Sequence, residues 1–248
     1  MTPRLLRLND QEPSHLIVEP NTQLTVIDIG HHPKVQLEIG ANATVEYLFV
    51  FVGDGATSKV AHLQADATLH WCSAILGGSN SHEIVTHHVG SGARSQHFGL
   101  FLGQQHDTFK MHYWSEHTAA HTSGHILVHG ALLDSAYADF KGNIRIAASA
   151  KETDASLTEH TLLLGNRARS DSIPQLDIQT NAVRVTHSSA MTKVDDEQLF
   201  YMASRGLPTA TARRMIVTGF LNDIVQHFQH QPTVQEIDHL ITERIQTL

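Results

Sequence analysis

Apolar and polar residues alternate with period two from Thr22 to His187, and that rhythm confines most of the chain to β structure. Ala61, Leu63, Ala65, Ala67, Leu69 and Trp71 alternate with His62, Gln64, Asp66, Thr68 and His70. Such spacing marks a half-buried strand pair, because a helix would repeat its apolar face every three to four residues. Val35/Leu37/Ile39, Phe98/Leu100/Leu102, Phe109/Met111/Tyr113, Ile144/Ile146 and Leu176/Ile178 continue the pattern in short runs broken by Gly, Asn, Asp and Ser. A longer rhythm overlies it. Gly40-Ala41-Asn42-Ala43-Thr44-Val45-Glu46-Tyr47 is echoed twenty-four residues on by Gln64-Ala65-Asp66-Ala67-Thr68-Leu69-His70-Trp71, and Ser91-Gly92-Ala93-Arg94-Ser95-Gln96-His97-Phe98 follows at a similar interval. A recurring unit of that size predicts a β-solenoid, whose coils bury their inner faces only by stacking on one another. A β-sandwich is the alternative that the pattern leaves open. With strands ~4.8 Å apart, roughly seven coils would form a rod on the order of 30 Å long.

The texture changes at Lys193. Asp195 is placed to cap a short helix with Gln198 three residues on, and Leu199, Phe200 and Met202 supply its apolar face. Past Arg205-Gly206-Leu207-Pro208, Thr209 is expected to cap a second helix whose Ala212, Ile216, Phe220, Ile224 and Phe228 form a stripe that must be buried. Pro232 is expected to break it, and Thr233 with Glu236 to open a last helix bearing Val234, Ile237, Leu240, Ile241 and Ile245. The chain thus divides into a lead-in over residues 1–21, a β body over 22–192 and a small helical subdomain over 193–248.

At 248 residues and 41% hydrophobic composition, one full core is within reach. A formal net charge of -8 removes the broad basic surface that a nucleic-acid partner requires. Cys72 is the only cysteine, so this chain alone can build neither a disulfide framework nor a four-thiolate site, and a reducing cytoplasmic setting is expected. Met1 to Asp10 lacks the apolar run of a secretory signal, and no window reaches the ~18 apolar residues of a membrane span. Histidine, with 20 copies, stands out. A surface carrying that many imidazoles should reverse its acidic balance on mild acidification, near pH ~6.5.

Ala138-Asp139-Phe140-Lys141-Gly142, Thr153-Asp154-Ala155, Leu162-Leu163-Leu164-Gly165, Pro174-Gln175-Leu176-Asp177-Ile178, His187 and the stretch from Asp196-Glu197-Gln198-Leu199-Phe200-Tyr201 through Ser204-Arg205-Gly206 keep one order and spacing across the second half of the chain. This ordered set resembles the SufB/SufD family of SUF-system iron–sulfur cluster assembly scaffolds. The resemblance implies a right-handed parallel β-helix followed by a C-terminal α-helical subdomain. It also implies a non-catalytic role, pairing of two β-helices as a dimer with itself or a SufB/SufD-like chain, docking of a SufC-like ABC ATPase, and an indirect link to a cysteine desulfurase pathway. Ala190-Met191-Thr192-Lys193 resembles SufB, whereas Ala138-Asp139-Phe140 resembles SufD. Because the β pattern begins near Thr22, the resemblance is to a short form lacking the N-terminal helical region.

The family places a cluster-site histidine at His187; Val185 stands at the cysteine position of SufD-like chains and Ser188 at the acid position of SufB-like ones. A lone imidazole is a weak iron site, so a transient iron–sulfur cluster would take its remaining ligands from a partner chain. A packed histidine at the end of the β body is the plainer account of His187. His160, one coil upstream, is a candidate to stack beside it as a pair. His117, His121, His125 and His129 recur every four residues, but their neighbours point to strand and turn, where residues four apart lie ~13 Å from one another and share no metal. With His62, His70 and His112 they are expected on a solvated or stacked outer face rather than in a metal-collecting row. Cys72 is expected to be structural. Ile216 and Phe220, with Arg213 and Arg214, are the candidate partner-binding residues on the second helix. No Gly-x-x-x-x-Gly-Lys-Ser/Thr, Gly-x-Ser-x-Gly or His-Glu-x-x-His occurs, so nucleotide hydrolysis belongs to a partner. The competing function is a stand-alone metal-binding or interaction β-helix; a carbohydrate-acting β-helix is disfavoured by the scatter of Asp139, Asp154, Asp171 and Asp177.

Overall fold

The computed structural model of the protein describes residues 4–8, 15–30 and 32–247. Its strands are β1 (Arg4–Arg7), β2 (His15–Val18), β3 (Gln23–Ile29), β4 (Lys34–Ile39), β5 (Thr44–Val52), β6 (Gly55–Leu63), β7 (Thr68–Leu76) and β8 (Ser79–His88). They continue as β9 (Arg94–Gly103), β10 (Thr108–His117), β11 (Ser123–Leu132), β12 (Tyr137–Ile146), β13 (Thr153–Leu163), β14 (Arg169–Ile178) and β15 (Val183–Lys193). Odd-numbered strands form one eight-stranded sheet and even-numbered strands a seven-stranded one, each in chain order and paired in parallel. That is a two-faced parallel β-solenoid, the architecture the alternation predicts. β1 and β2 already belong to it, so the expected lead-in carries strands of its own; residues 1–3 and 9–14 of that stretch lie outside the described residues.

The corners explain the sequence repeat. At the six passages from the even to the odd sheet that lead into β3 through β13, one residue takes a left-handed conformation: Asn21, Asn42, Asp66, Gly92, His121 and Glu152 all have positive φ, and among the described residues only the last passage, from β14 to β15, lacks one. Asn, Asp and Gly adopt that region at least cost. The N–H of each donates to a carbonyl in the next coil's corner, Asn42 to Ala65, Asp66 to Ser91 and Gly92 to Ala120, so the corners stack into a spine. The register step lengthens along it, from twenty-one residues where Gln23 faces Thr44 to thirty-one where Ser123 faces Asp154.

Two apolar cores result. Inside the coil, Val45, Tyr47, Phe49 and Phe51 of β5 meet Ala61 and Leu63 of β6, with Trp71, Phe101, Phe109 and Phe140 further along. The opposite face of the odd sheet is also buried. Leu48, Val50, Cys72, Ala74, Leu100, Leu102, Ala131 and Leu162 pack under the helical tail. Odd strands are therefore covered on both sides and read as continuous apolar runs such as Tyr47-Leu48-Phe49-Val50-Phe51, whereas even strands keep the alternation.

The tail comprises α1 (Asp196–Ser204), α2 (Thr209–Val225) and α3 (Gln231–Arg244), with a 3-10 turn at Ile245–Thr247. Asp195 caps α1 as expected, its side chain accepting from the Glu197 N–H at 2.9 Å. Two boundaries differ from expectation. Pro208, not Thr209, is the N-cap of α2, and α2 ends at Val225 without help from Pro232. Pro232 instead sits in the first turn of α3, where its missing N–H costs nothing, and His230 caps that helix by accepting from the Thr233 N–H. α2 rests on β9 and β11 and α3 on β7. Polar contacts fasten the tail: His129 Nδ1 donates to the Phe220 carbonyl at 2.9 Å and stacks on the Phe220 ring at 4.4 Å, Phe98 stacks on His227 at 3.9 Å, and Glu46 accepts from the Gln229 N–H at 2.7 Å. Burial pushes the Glu46 carboxyl up from its ordinary value. Among the described residues no helix is long and apolar enough to cross a membrane.

Candidate functional site

β14 and β15 are the last strands of their sheets, so the solenoid ends with two strand edges and an open interior. Register assigns the faces there. Leu176 and Ile178 pair with Ile144 and Ile146 of the inner core, so both point into the interior, yet each is 39% exposed because no further coil covers it. On β15, Val183 and Val185 pack partly against the same core. His187 shares their parity, pairs with buried Leu157, and is exposed on the interior-facing side of the terminal strand. A packed histidine is thus not what β15 presents.

Beside it lies an acid that the sequence does not single out. Glu159 is fully buried and interior-facing; its carboxylate accepts from the hydroxyl of Ser189, its register partner, at 3.0 Å and from that of Thr161. His187 is one strand over and two residues away from Glu159, a diagonal of about 8 Å at Cα for ~4.8 Å strand spacing and ~3.3 Å rise. The visible clue was parity: Glu159 and Thr161 continue the Ala155/Leu157 series. His160 has the opposite parity. It lies on the outer face of the odd sheet and stacks on His129 with ring centroids 5.6 Å apart, so the expected pairing with His187 does not form: the strand itself separates the two rings. Ser188, at the family's acid position, is exposed on that same outer side, and Val185 offers no donor. Among the described residues no group of three or more His, Cys, Asp or Glu side chains converges to hold a metal ion. This end of the chain provides an imidazole and a neighbouring carboxylate, an incomplete ligand set.

The candidate partner residues fall on the tail. Ile216 and Phe220 are half-buried and pack onto the outer core, where Phe220 is held by His129. Arg213 is exposed and lines a cavity with Lys193, Asp196 and Leu199 at the junction of β body and tail; Arg214 Nη2 donates to Thr211 Oγ1 at 3.3 Å. What α1 and α2 leave to solvent is different: Phe200 is 75%, Tyr201 59% and Met215 52% exposed, and Met215 lines a groove of about 470 Å³ between α2 and α3 with Thr218, Asn222 and Thr242. Cys72 lies buried beneath the tail, its thiol pushed well above the ordinary range by desolvation and then by Glu46, as suits a packed side chain.

The interior holds more polar chemistry than the sequence suggests. His82, His88, His97 and His117 are buried there, so His117 leaves the outer row expected for it. His88 and His117 stack at 4.0 Å, and hydroxyls of Thr57, Ser73, Ser95, Ser115 and Thr122 serve the four rings at 2.8–2.9 Å. Desolvation lowers all four, His82 and His97 to about 3, His88 to about 4 and His117 to about 2. Toward the other end of the interior, buried Lys59 Nζ meets Asp28 Oδ2 at 2.6 Å, with Tyr47 donating to the same oxygen at 2.7 Å and His32 Nδ1 2.7 Å from Oδ1.

Known proteins share this arrangement of sequence. The family described as "SUF system FeS cluster assembly, SufBD core domain" matches residues 8–220. The chain is 27% identical over 245 residues to the iron–sulfur cluster assembly protein SufD of Escherichia coli, covering 93% of this chain and 58% of that protein. It is 33% identical over 192 residues to an iron–sulfur cluster assembly SufBD family protein of Mycobacterium tuberculosis, covering 71% and 48%. It is 28% identical over 212 residues to SufD of Bacillus subtilis, covering 83% and 48%. The chain spans about half the length of these curated relatives. With the core-domain match extending over most of the solenoid and into the second helix of the tail, the chain belongs to the SufB/SufD family of the SUF iron–sulfur cluster assembly system.

Proposed function

We propose that this chain is a non-catalytic, SufD-like scaffold subunit of cytoplasmic iron–sulfur cluster assembly, and that it works through its open solenoid end and its helical tail. The observation that carries the proposal is the uncapped end. Unpaired strand edges with exposed Leu176, Ile178 and Met191 are a template for a second strand edge, and an exposed apolar patch beside them marks a surface for another chain. A second copy, or a SufB/SufD-like chain, meeting β14 and β15 would bury those side chains and bring its own donors to His187. The cluster is cargo at that seam: His187 supplies one imidazole, Glu159 lies close by, and thiolates come from the partner.

The tail docks a SufC-like ABC ATPase through Met215 and its groove and the exposed Phe200 and Tyr201, while Ile216 and Phe220 hold α2 on the β body. Energy for assembly is supplied by that partner, and sulfur by a cysteine desulfurase acting upstream.

Anaerobic reconstitution with iron, sulfide and a SufB-like partner tests the seam. A sulfide-dependent visible chromophore should form with the native chain and weaken severely with His187→Ala. If iron or zinc binds equally well without sulfide and without a partner, the stand-alone metal-binding reading, favoured by Val185 and Ser188, replaces it. Co-purification of an ATPase should be lost in Met215→Glu with the fold intact; retention in that variant and in Phe200→Glu would remove the docking surface.

A further inference from the structure

We propose that His62 and His87 form a two-nitrogen site for a late first-row divalent cation on the outer face of the even sheet, far in register from the open end. His62 of β6 and His87 of β8 are exact register partners although twenty-five residues apart in sequence. They stand in one cross-strand row that runs Glu38, His62, His87, Glu116, Arg145, Asp177. The ring centroids are 4.6 Å apart. Two imidazoles on one metal, with bonds of ~2.0–2.1 Å at 90–109° to each other, have centroids roughly 4.5–5.2 Å apart. The rings are now edge-to-face at 79°, so binding requires rotation of the side chains and no movement of the backbone.

The flanking residues do what outer-shell groups do in metal sites. His87 Nδ1 lies 2.7 Å from Glu116 Oε2, and His62 Nδ1 lies 3.5 Å from Glu38 Oε1. A carboxylate on one ring nitrogen fixes the tautomer and leaves the other as the ligand. Glu116 is itself held by Arg145 at 3.2 Å, and Arg145 by Asp177 at 3.3 Å. Nε2 of His62 and of His87 has no hydrogen-bond partner among the described residues, and the side chains are 34% and 28% exposed, open to an ion from solution. Other histidine neighbours lack this combination. His88 and His117 are sealed inside with both nitrogens engaged, and His129 is committed to α2. Two protein nitrogens with water completing the shell favour Cu²⁺ over Ni²⁺ and Zn²⁺.

Titration calorimetry of the full chain with Cu²⁺ and with Zn²⁺ at pH 7.5 tests the site, with circular dichroism as the check on folding. His62→Ala and His87→Ala should each weaken the tightest site at least tenfold. Glu116→Gln should weaken it several-fold while leaving both nitrogens in place. His121→Ala, which removes an exposed histidine that also faces a glutamate but has no histidine beside it, should leave that site unchanged. His62→Gln and His87→Gln repeat the test should an alanine variant unfold. Isotherms of the folded His62 and His87 variants that superimpose on the native one, or a tightest site that follows His121, would overturn the proposal.

Discussion

Lys59 is the side chain whose replacement has the clearest expected result. It is wholly buried, ion-paired to equally buried Asp28, 4.4 Å from the centre of the Phe49 ring, and donates to the His32 carbonyl at 3.3 Å. Desolvation lowers the Lys59 ammonium, and Asp28 works against that shift. Removing the lysine strands a carboxylate in the interior, so Lys59→Met should cost about 3–5 kcal/mol. Replacing both partners removes the stranded charge, and Asp28→Leu/Lys59→Met should recover most of that loss. Urea denaturation of the two singles and the double checks it; a double as unstable as the sum of the singles would refute the account. Alternation alone places Lys59 inside, between Thr57 and Ala61, but nothing local names Asp28 as its counter-ion. The two meet only because β3 and β6 lie on facing sheets.

The corner is the element that makes the coil repeat. Asn42, at φ 57°, is followed by buried Ala43, and its N–H joins this coil to the next. Asn42→Gly keeps the left-handed conformation available and should change stability little, whereas Asn42→Val forces a β-branched side chain into it and should cost about 1–3 kcal/mol. Thermal unfolding of the pair measures the difference, and equal melting temperatures would mean the spine relaxes freely. Three copies of this corner are legible in the sequence because they carry Asn, Asp or Gly between alanines or small residues. Later copies fade, since His121 and Glu152 take the same conformation and the coil lengthens. The helices show the opposite balance: their existence follows from the apolar stripes, but their ends are set by Pro208, His230 and the surface they lie on rather than by Thr209 and Pro232.

Across the whole molecule, the buried imidazoles couple folding to pH. His82, His88, His97 and His117 stay neutral in the fold down to about pH 2–4, while the unfolded chain protonates them near 6.5. Folded values lie below unfolded ones, so this stability is complete above about pH 6.5 and is lost as the pH falls toward the folded values. Four such groups give a slope of about 5 kcal/mol per pH unit near pH 5, enough to unfold a domain of ordinary stability. Urea midpoints measured from pH 7.5 to 4.5 should drop steeply, and more gently in His97→Gln; a flat profile would contradict the burial. His70, His112 and His129 are also lowered by desolvation, so the reversal of net charge expected on mild acidification is shifted to lower pH.

Period-two patterning, corner residues and apolar stripes are local properties, and for that reason a β-solenoid with a helical tail, and the family it belongs to, are legible along the chain. Which side chains meet was decided only in three dimensions. The register step between coils varies from twenty residues, where Arg4 faces Leu24, to thirty-two, where Tyr137 faces Arg169, so the neighbours of any one residue cannot be counted off along the chain. That step puts Glu159 rather than His160 on the side of His187, and sets His62 against His87. A histidine also looks the same in sequence whether it faces water or a buried hydroxyl, and only the stacking of coils supplies the serines and threonines that make the inner positions tolerable.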